Sequence, residues 1–255
     1  MEKLVALSIT FFAGLLFLLG VLIIKKVSNK NSVYKFCSSL AFSVIICLII
    51  FDIVPEIIES FSHMGQNKSF IYAVSFILIG IIILKLLDNL IPMHNHEHHD
   101  NEKNEKEHND HLYHIGTITT FAVILHNIIE GMAIYTLSLS SFQAGLIMCI
   151  GVGLHNIPMG MEIFLTLNLA KKSLKYKYIT GIFIVLSTVI GGAMALLFKI
   201  VNPTILGILI SITCGMLIYI SIFELLNEVK RTLKYKHTIL GLITGVVLML
   251  LTFLI

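Results

Sequence analysis

Charge is what this chain has least of. Lys, Arg, Asp and Glu make up 13% of its 255 residues against a 56% hydrophobic share, whereas a soluble domain has a charged fraction nearer a quarter. Almost no room is left for a separate soluble domain, and the composition is that of a polytopic membrane protein. Tryptophan is absent. Cysteine is scarce: Cys37, Cys47, Cys149 and Cys214 fall within or beside apolar stretches, and no pair has CxxC spacing. That pattern excludes a disulfide framework or a dithiol redox centre and leaves small apolar packing residues. No glycine-rich phosphate-binding motif occurs, which argues against direct coupling to ATP. The net charge of +3 is small, and no nucleic-acid partner is expected. The first apolar run meets Lys25 and Lys26 without a small-residue cleavage site, so it reads as a first span and not as a cleavable signal peptide.

A spanning helix needs about 20 mostly apolar residues. Eight such stretches can be drawn, at 4–24, 34–58, 69–91, 114–137, 142–169, 178–200, 204–226 and 237–255. The expected fold class is an all-α membrane protein, one polytopic domain over residues 1–255. Basic residues set the orientation. Lys25, Lys26, Lys30 and Lys35 follow the first span; Lys171, Lys172, Lys175 and Lys177 follow the fifth; Lys230, Arg231, Lys234 and Lys236 follow the seventh. With eight spans all three clusters share one side, and the opposite connections hold little besides Lys68 and Lys199. Both termini are therefore expected outside, with the basic loops in the cytoplasm and the chain in the cell membrane.

Two segments in the middle of apolar spans carry groups that the bilayer penalises: His126–Gly131 (H-N-I-I-E-G) and His155–Glu162 (H-N-I-P-M-G-M-E). His126 and Glu130 share a helix face one turn apart, as do His155 and Met159, and Glu162 returns to nearly the same side. A carboxylate at the bilayer centre costs about 2.5–3.5 kcal/mol on the mildest scale. Imidazole and carboxylate converging on a divalent cation would offset that cost. The alternative is a pair of hydrogen-bonded contacts inside a buried bundle. His126 and His155 fall at matching depth in spans four and five, joined by a short turn near Ser138–Ser141, which favours one joint midplane metal site. Asn127 and Asn156 could add amide oxygens or act as interhelical glue. Pro158 removes a backbone hydrogen bond and frees the carbonyl of Leu154 beside these groups.

The one long polar segment, Pro92–His114, holds His94, His96, His98, His99, His108, His111 and His114 among Glu, Asp and Asn. It reads as a disordered cytoplasmic loop that buffers or senses metal, or else as a plain solvated linker. Lys85 and Asp88, at the cytoplasmic end of span three, are expected to snorkel or pair, without a transport role.

At these residues the chain resembles the ZIP (Zrt/Irt-like) family of divalent metal transporters, especially its bacterial branches. The resemblance covers the whole length: eight spans, a His-rich third connection, and paired motifs in helices four and five. The helix-four pattern H-N-x-x-E-G is met by His126, Asn127, Glu130 and Gly131, and the helix-five pattern H-N-x-P-E-G by His155, Asn156, Pro158 and Gly160. Asp52–Glu56 (D-I-V-P-E) and Phe223–Glu228 (F-E-L-L-N-E) are similar to the family's acidic segments in helices two and seven. Two departures matter: Met159 stands where the family usually has a bridging Glu, and span six offers only Ser187, Thr188, Gly191 and Gly192 where relatives often have another Glu. The resemblance thus implies one ion held by His126, Glu130 and His155, with Met159 as an optional soft ligand or plain packing and Glu162 as a candidate replacement carboxylate.

The function implied is alternating-access uptake of Zn²⁺, with Fe²⁺, Mn²⁺ or Cd²⁺ as other cargo. Asp52 and Glu56 would attract the ion from outside, and Glu224 and Glu228 would line its exit. The ion is substrate; no resident cofactor is implied. The lipid bilayer is the other partner, and a homodimer is left open. Export by a ZIP-like protein is the alternative. An intramembrane metalloprotease would want H-E-x-x-H on one helix, whereas here each helix gives one His followed by Asn, and no enzyme is expected.

Overall fold

The computed structural model describes residues 2–25, 30–90, 101–198 and 202–252. All regular structure among them is helical. In lipid every backbone N–H and C=O must be satisfied within the segment, which a helix does and an open strand does not. The helices are α1 (Glu2–Lys25), α2 (from Lys30 to Met64), α3 (Gln66–Leu90), α4 (Asn101–Ser140), α5 (Phe142–Leu169), α6 (Leu174–Phe198), α7 (from Pro203 to Thr232) and α8 (Lys236–Thr252). Seven are long and apolar enough to cross a membrane, and α8 is a shorter apolar helix within the described residues. The chain is an all-α, multi-pass membrane protein.

Two helices change gauge partway. In α2 the α-helix Lys30–Leu48 passes through a π-helical stretch, Ile49–Ile53, before Val54–Phe61 resumes. The N–H of Val54 returns to the carbonyl of Ile49. Pro55 is the physical reason: it has no N–H to give Phe51, and its ring crowds that carbonyl, so the preceding turn widens. In α7 the stretch Ile220–Leu225 is also π-helical, and the N–H of Leu226 returns to Ser221. Asp52 lies in the first widened turn and Glu224 in the second.

Helix ends follow local chemistry. Ser141 accepts from the N–H of Ala144 at 3.3 Å and caps α5, so the α4–α5 hairpin closes on a single residue. Asn202 accepts from Thr204 at 2.9 Å, with Pro203 in the first turn of α7. Helix α4 begins at Asn101, well before the expected start near 114. The run Glu102–Glu107 is made mostly of Glu and Lys, which are strong helix formers. Of the His-rich segment, residues 91–100 and the side chains of 101–108 lie outside the described residues, and with them His94, His96, His98, His99 and His108.

The helices pack as two groups. Helix α1 lies against α5 and α6, and α4 against α5 and α6; separately, α2 pairs with α8 and α3 with α7, and α2 meets α7. Glycines set the closest approaches inside each group. A Cβ at Gly131 would run into the backbone of Thr188, and one at Gly191 into that of Ile128, so α4 and α6 touch main chain to main chain. Gly80 against Ile212 and Gly215 against Ile77 do the same for α3 and α7. Helix α3 is otherwise little buried, with Phe70 at 70% and Ile71 at 60% exposure, as a lipid-facing helix should be.

Candidate metal site

The helical periods bring His126 and Glu130 to one face of α4, and that face meets α5 at His155. Nε2 of His126 lies 2.9 Å from Oε1 of Glu130, out of alignment for a hydrogen bond. Nε2 of His155 is hydrogen-bonded to the same oxygen at 2.7 Å. The two imidazole ring centres are 5.9 Å apart. All three side chains are buried, and their donor atoms lie within 4.8 Å of one another. Two nitrogens and a carboxylate at this spacing are a donor set for a divalent cation.

The surroundings fit an ion better than they fit a closed hydrogen-bond network. Among the described residues Glu130 Oε2, Asn127 Oδ1 and both amide atoms of Asn156 are buried without a hydrogen-bond partner. Such groups cost about 1–3 kcal/mol each when nothing satisfies them. A cation nearby could take up the oxygens among them, while the Asn156 Nδ2 amide is a donor and would need an acceptor instead. The other end of the Asn127 amide is used: Nδ2 donates to the carbonyl of Ile184 on α6 at 3.5 Å.

The remaining expected residues divide. Asp52 and Glu56 line a small cavity of about 40 Å³ together with His126 and Glu130. Glu56, Ala133 and Met148 also line a vestibule of about 680 Å³, which continues past Glu59 and His63 to Asn202. The vestibule at the end of the bundle where α4 stops thus shares walls with the small cavity beside His126 and Glu130. Met159 is 1% exposed and belongs to the main hydrophobic core. Glu162 is not in the His126, Glu130 and His155 cluster. Its carboxylate accepts from the Ser38 hydroxyl of α2 at 3.0 and 3.1 Å and from Thr166 at 3.1 Å. In span six, the hydroxyls of Ser187 and Thr188 return to Ile184 and Val185 of their own helix. Small side chains there serve the close approach to α4.

A second cluster was not expected from the sequence. Asp88 of α3, His114 of α4 and Glu224 of α7 bring their donor atoms within 4.8 Å of one another. His114 Nε2 is hydrogen-bonded to Asp88 Oδ1, and the Tyr219 hydroxyl donates to Asp88 Oδ2 at 2.8 Å. His114 lies twelve residues before His126 on one helix, about 18 Å along its axis. The signal that could have found this cluster is depth: an acid ending span three, a histidine beginning span four and an acid late in span seven share one level.

Buried side chains able to hold a metal between two membrane helices, a vestibule beside them toward one end and a second such cluster toward the other make an arrangement suited to moving an ion across a membrane. Comparison with known proteins agrees. The family model described as ZIP zinc transporter matches residues 2–117 and 94–252, and the chain belongs to that family. It is 25% identical over 246 residues to the zinc transporter ZupT of Stenotrophomonas maltophilia (strain R551-3), covering 94% of this chain and 91% of that protein. It is 28% identical over 279 residues to the zinc transporter ZupT of Clostridium perfringens, covering 99% and 96%. For the Chlorobium luteolum protein of the same name the figures are 29% over 262 residues, 98% and 97%.

Proposed function

We propose that this chain carries Zn²⁺ across the cell membrane into the cytoplasm, with both termini outside. The observation that carries the reading is the convergence of His126, Glu130 and His155 on one buried point at the foot of a vestibule. Asp52 and Glu56 draw the hydrated ion inward; a cavity of about 40 Å³ has room for little more than one water-sized occupant, so the ion sheds most of its shell there. The two imidazoles and the Glu130 carboxylate replace that shell, with Asn127 and Asn156 offering amide oxygens. With Met159 packed in the core and Glu162 bonded elsewhere, the site holds one ion. The cluster Asp88, His114 and Glu224, and then Glu228, receives it on the cytoplasmic side.

The distribution of these residues supports an alternating-access cycle. His126, Glu130 and His155 ride on the group α1, α4, α5 and α6, whereas Asp52, Glu56, Asp88 and Glu224 stand on the other group. Sliding one group past the other would carry the ion from the first set of acids to the second without opening both ends.

The test is uptake of ⁶⁵Zn into proteoliposomes under an inward zinc gradient, with Mn²⁺, Fe²⁺, Co²⁺ and Cd²⁺ as competitors. Saturable uptake that His155→Ala reduces at least tenfold is expected. Net movement only against the import direction in vesicles of known orientation would establish export instead, and uptake indifferent to His155→Ala would overturn the site.

A further inference from the structure

The vestibule and the small cavity beside His126 and Glu130 have three lining residues in common: Glu56 of α2, Ala133 of α4 and Met148 of α5. On each helix the residue about one turn deeper lines the small cavity alone: Asp52, Glu130 and Val152. Three helices therefore contribute one residue each to the same level. Met148 precedes His155 by seven residues on the same face of α5, about 10 Å along the axis. The shared wall offers one carboxylate, one methyl group and one thioether.

Of the sulfurs that line these two spaces, Met132 is 4% exposed and borders the vestibule alone, whereas Met148 borders both. Met148 is half-buried and packs against the core formed by Ile9, Ala13, Ile134, Cys149 and Val152. The neighbouring Cys149 thiol donates to the Ile9 carbonyl of α1 at 3.5 Å. Met159, 1% exposed, lines neither space.

We infer that Met148 is a specificity-determining residue of the entry, its thioether favouring thiophilic divalent ions over hard ones where the vestibule narrows. The inference rests on the inward zinc route proposed above. Asp52, Glu56 and Glu59 attract every divalent cation by charge, and imidazole suits several transition metals, so neither group separates soft ions from hard ones sharply. A thioether does: it is a donor for Cd²⁺, a weaker one for Zn²⁺, and offers little to Mn²⁺. The methionine side chain is unbranched with three rotatable bonds, so its sulfur can follow an ion through the neck. The small Ala133 in the same wall leaves room for that movement. Leucine would fill nearly the same volume without the donor.

Competition by Cd²⁺ and Mn²⁺ against ⁶⁵Zn uptake into proteoliposomes tests this. Met148→Leu should weaken competition by Cd²⁺ roughly fivefold, while competition by Mn²⁺ and the KM for zinc stay within about twofold. The ratio of the two competitors is internal to each preparation, so it does not depend on how much of a variant folds. Met148→Cys should recover most of the Cd²⁺ competition, because it returns a sulfur to the same position. An unchanged ratio in Met148→Leu would overturn the inference. So would equal weakening of both ions, or equal loss of Cd²⁺ competition in the Leu and Cys variants, since either result would assign the effect to shape and not to sulfur. His155→Ala run beside them separates two failures. If it leaves uptake intact, the route falls and the inference with it; if it stops uptake while Met148→Leu keeps the ratio, the inference alone falls.

Discussion

Removing one donor from the buried cluster does more than weaken a ligand set, because it leaves the others without a partner. His126→Ala or His155→Ala strips a nitrogen from a Glu130 carboxylate that is 7% exposed, and a carboxylate so placed is costly unless paired. Each variant, and Glu130→Gln, should lower zinc uptake at least tenfold and reduce the metal bound to purified protein. Retention of wild-type metal in any of the three would remove that residue from the site. Met159→Leu should stay within twofold, since the side chain is core packing; a selective loss of Cd²⁺ transport would instead identify the sulfur as a ligand, as thioether prefers softer ions. Glu162→Gln should hold bound zinc near normal, because its hydrogen bonds go to Ser38 and Thr166. At this scale the sequence was informative wherever an ionisable group interrupts an apolar run. His126, Glu130 and His155 were legible because two share a helix face and the third lies at their depth. Asp88 was not, because at the end of a span an acid can also snorkel to water, and only the packing of three helices joins it to His114 and Glu224.

Helices were legible from their apolar lengths, while their contacts were not. No pattern along span six announces that Gly191 and Thr188 meet the main chain of α4, because helices in lipid are apolar nearly all round. The glycines are the element-scale determinants of the site: they hold α4 against α6, and so hold Asn127 within reach of the Ile184 carbonyl. Gly131→Ala would press a methyl group into the Thr188 backbone, and overpacking of this kind costs about 1–3 kcal/mol. The thermal unfolding midpoint in detergent should fall clearly for Gly131→Ala. Gly151→Ala, where an added Cβ meets nothing within 4 Å, should be neutral or slightly stabilising, since Ala is favoured over Gly inside a helix by up to ~1 kcal/mol. Equal shifts for both would mean that the close approach is not what holds α4 and α6. The widened turn in α2 was half legible: Pro55 could be read, but the i to i−5 return of Val54 depends on how the helix resolves the clash.

Across the whole molecule the tight glycine contacts lie inside the two helix groups, while side-chain hydrogen bonds link one group to the other. Ser38 of α2 bonds Glu162 of α5, and Asp88 of α3 bonds His114 of α4. Ser38 lies early in α2 and Glu162 late in α5, so their bond is toward the basic end, opposite the vestibule. The cluster thus lies toward the vestibule on one side and the groups are bridged on the other, an arrangement suited to relative sliding: main-chain packing keeps each group rigid, and a few polar contacts between groups can break and re-form. If the groups move, locking them at this bridge must stop transport. In a background with Cys37, Cys47, Cys149 and Cys214 replaced by Ser, Ser38→Cys with Glu162→Cys joined by a short bifunctional thiol reagent should reduce zinc uptake at least tenfold while leaving bound zinc in place. Thr10→Cys with Gly192→Cys, a pair inside one group where the atoms nearest an added Cβ at Gly192 are side-chain atoms of Thr10 and Leu7 at 3.1–3.2 Å, should form the same link and leave uptake within twofold. Full transport with the Ser38–Glu162 pair locked would mean that the ion passes without relative motion of the two groups, and the distribution of ligands between them would need another explanation.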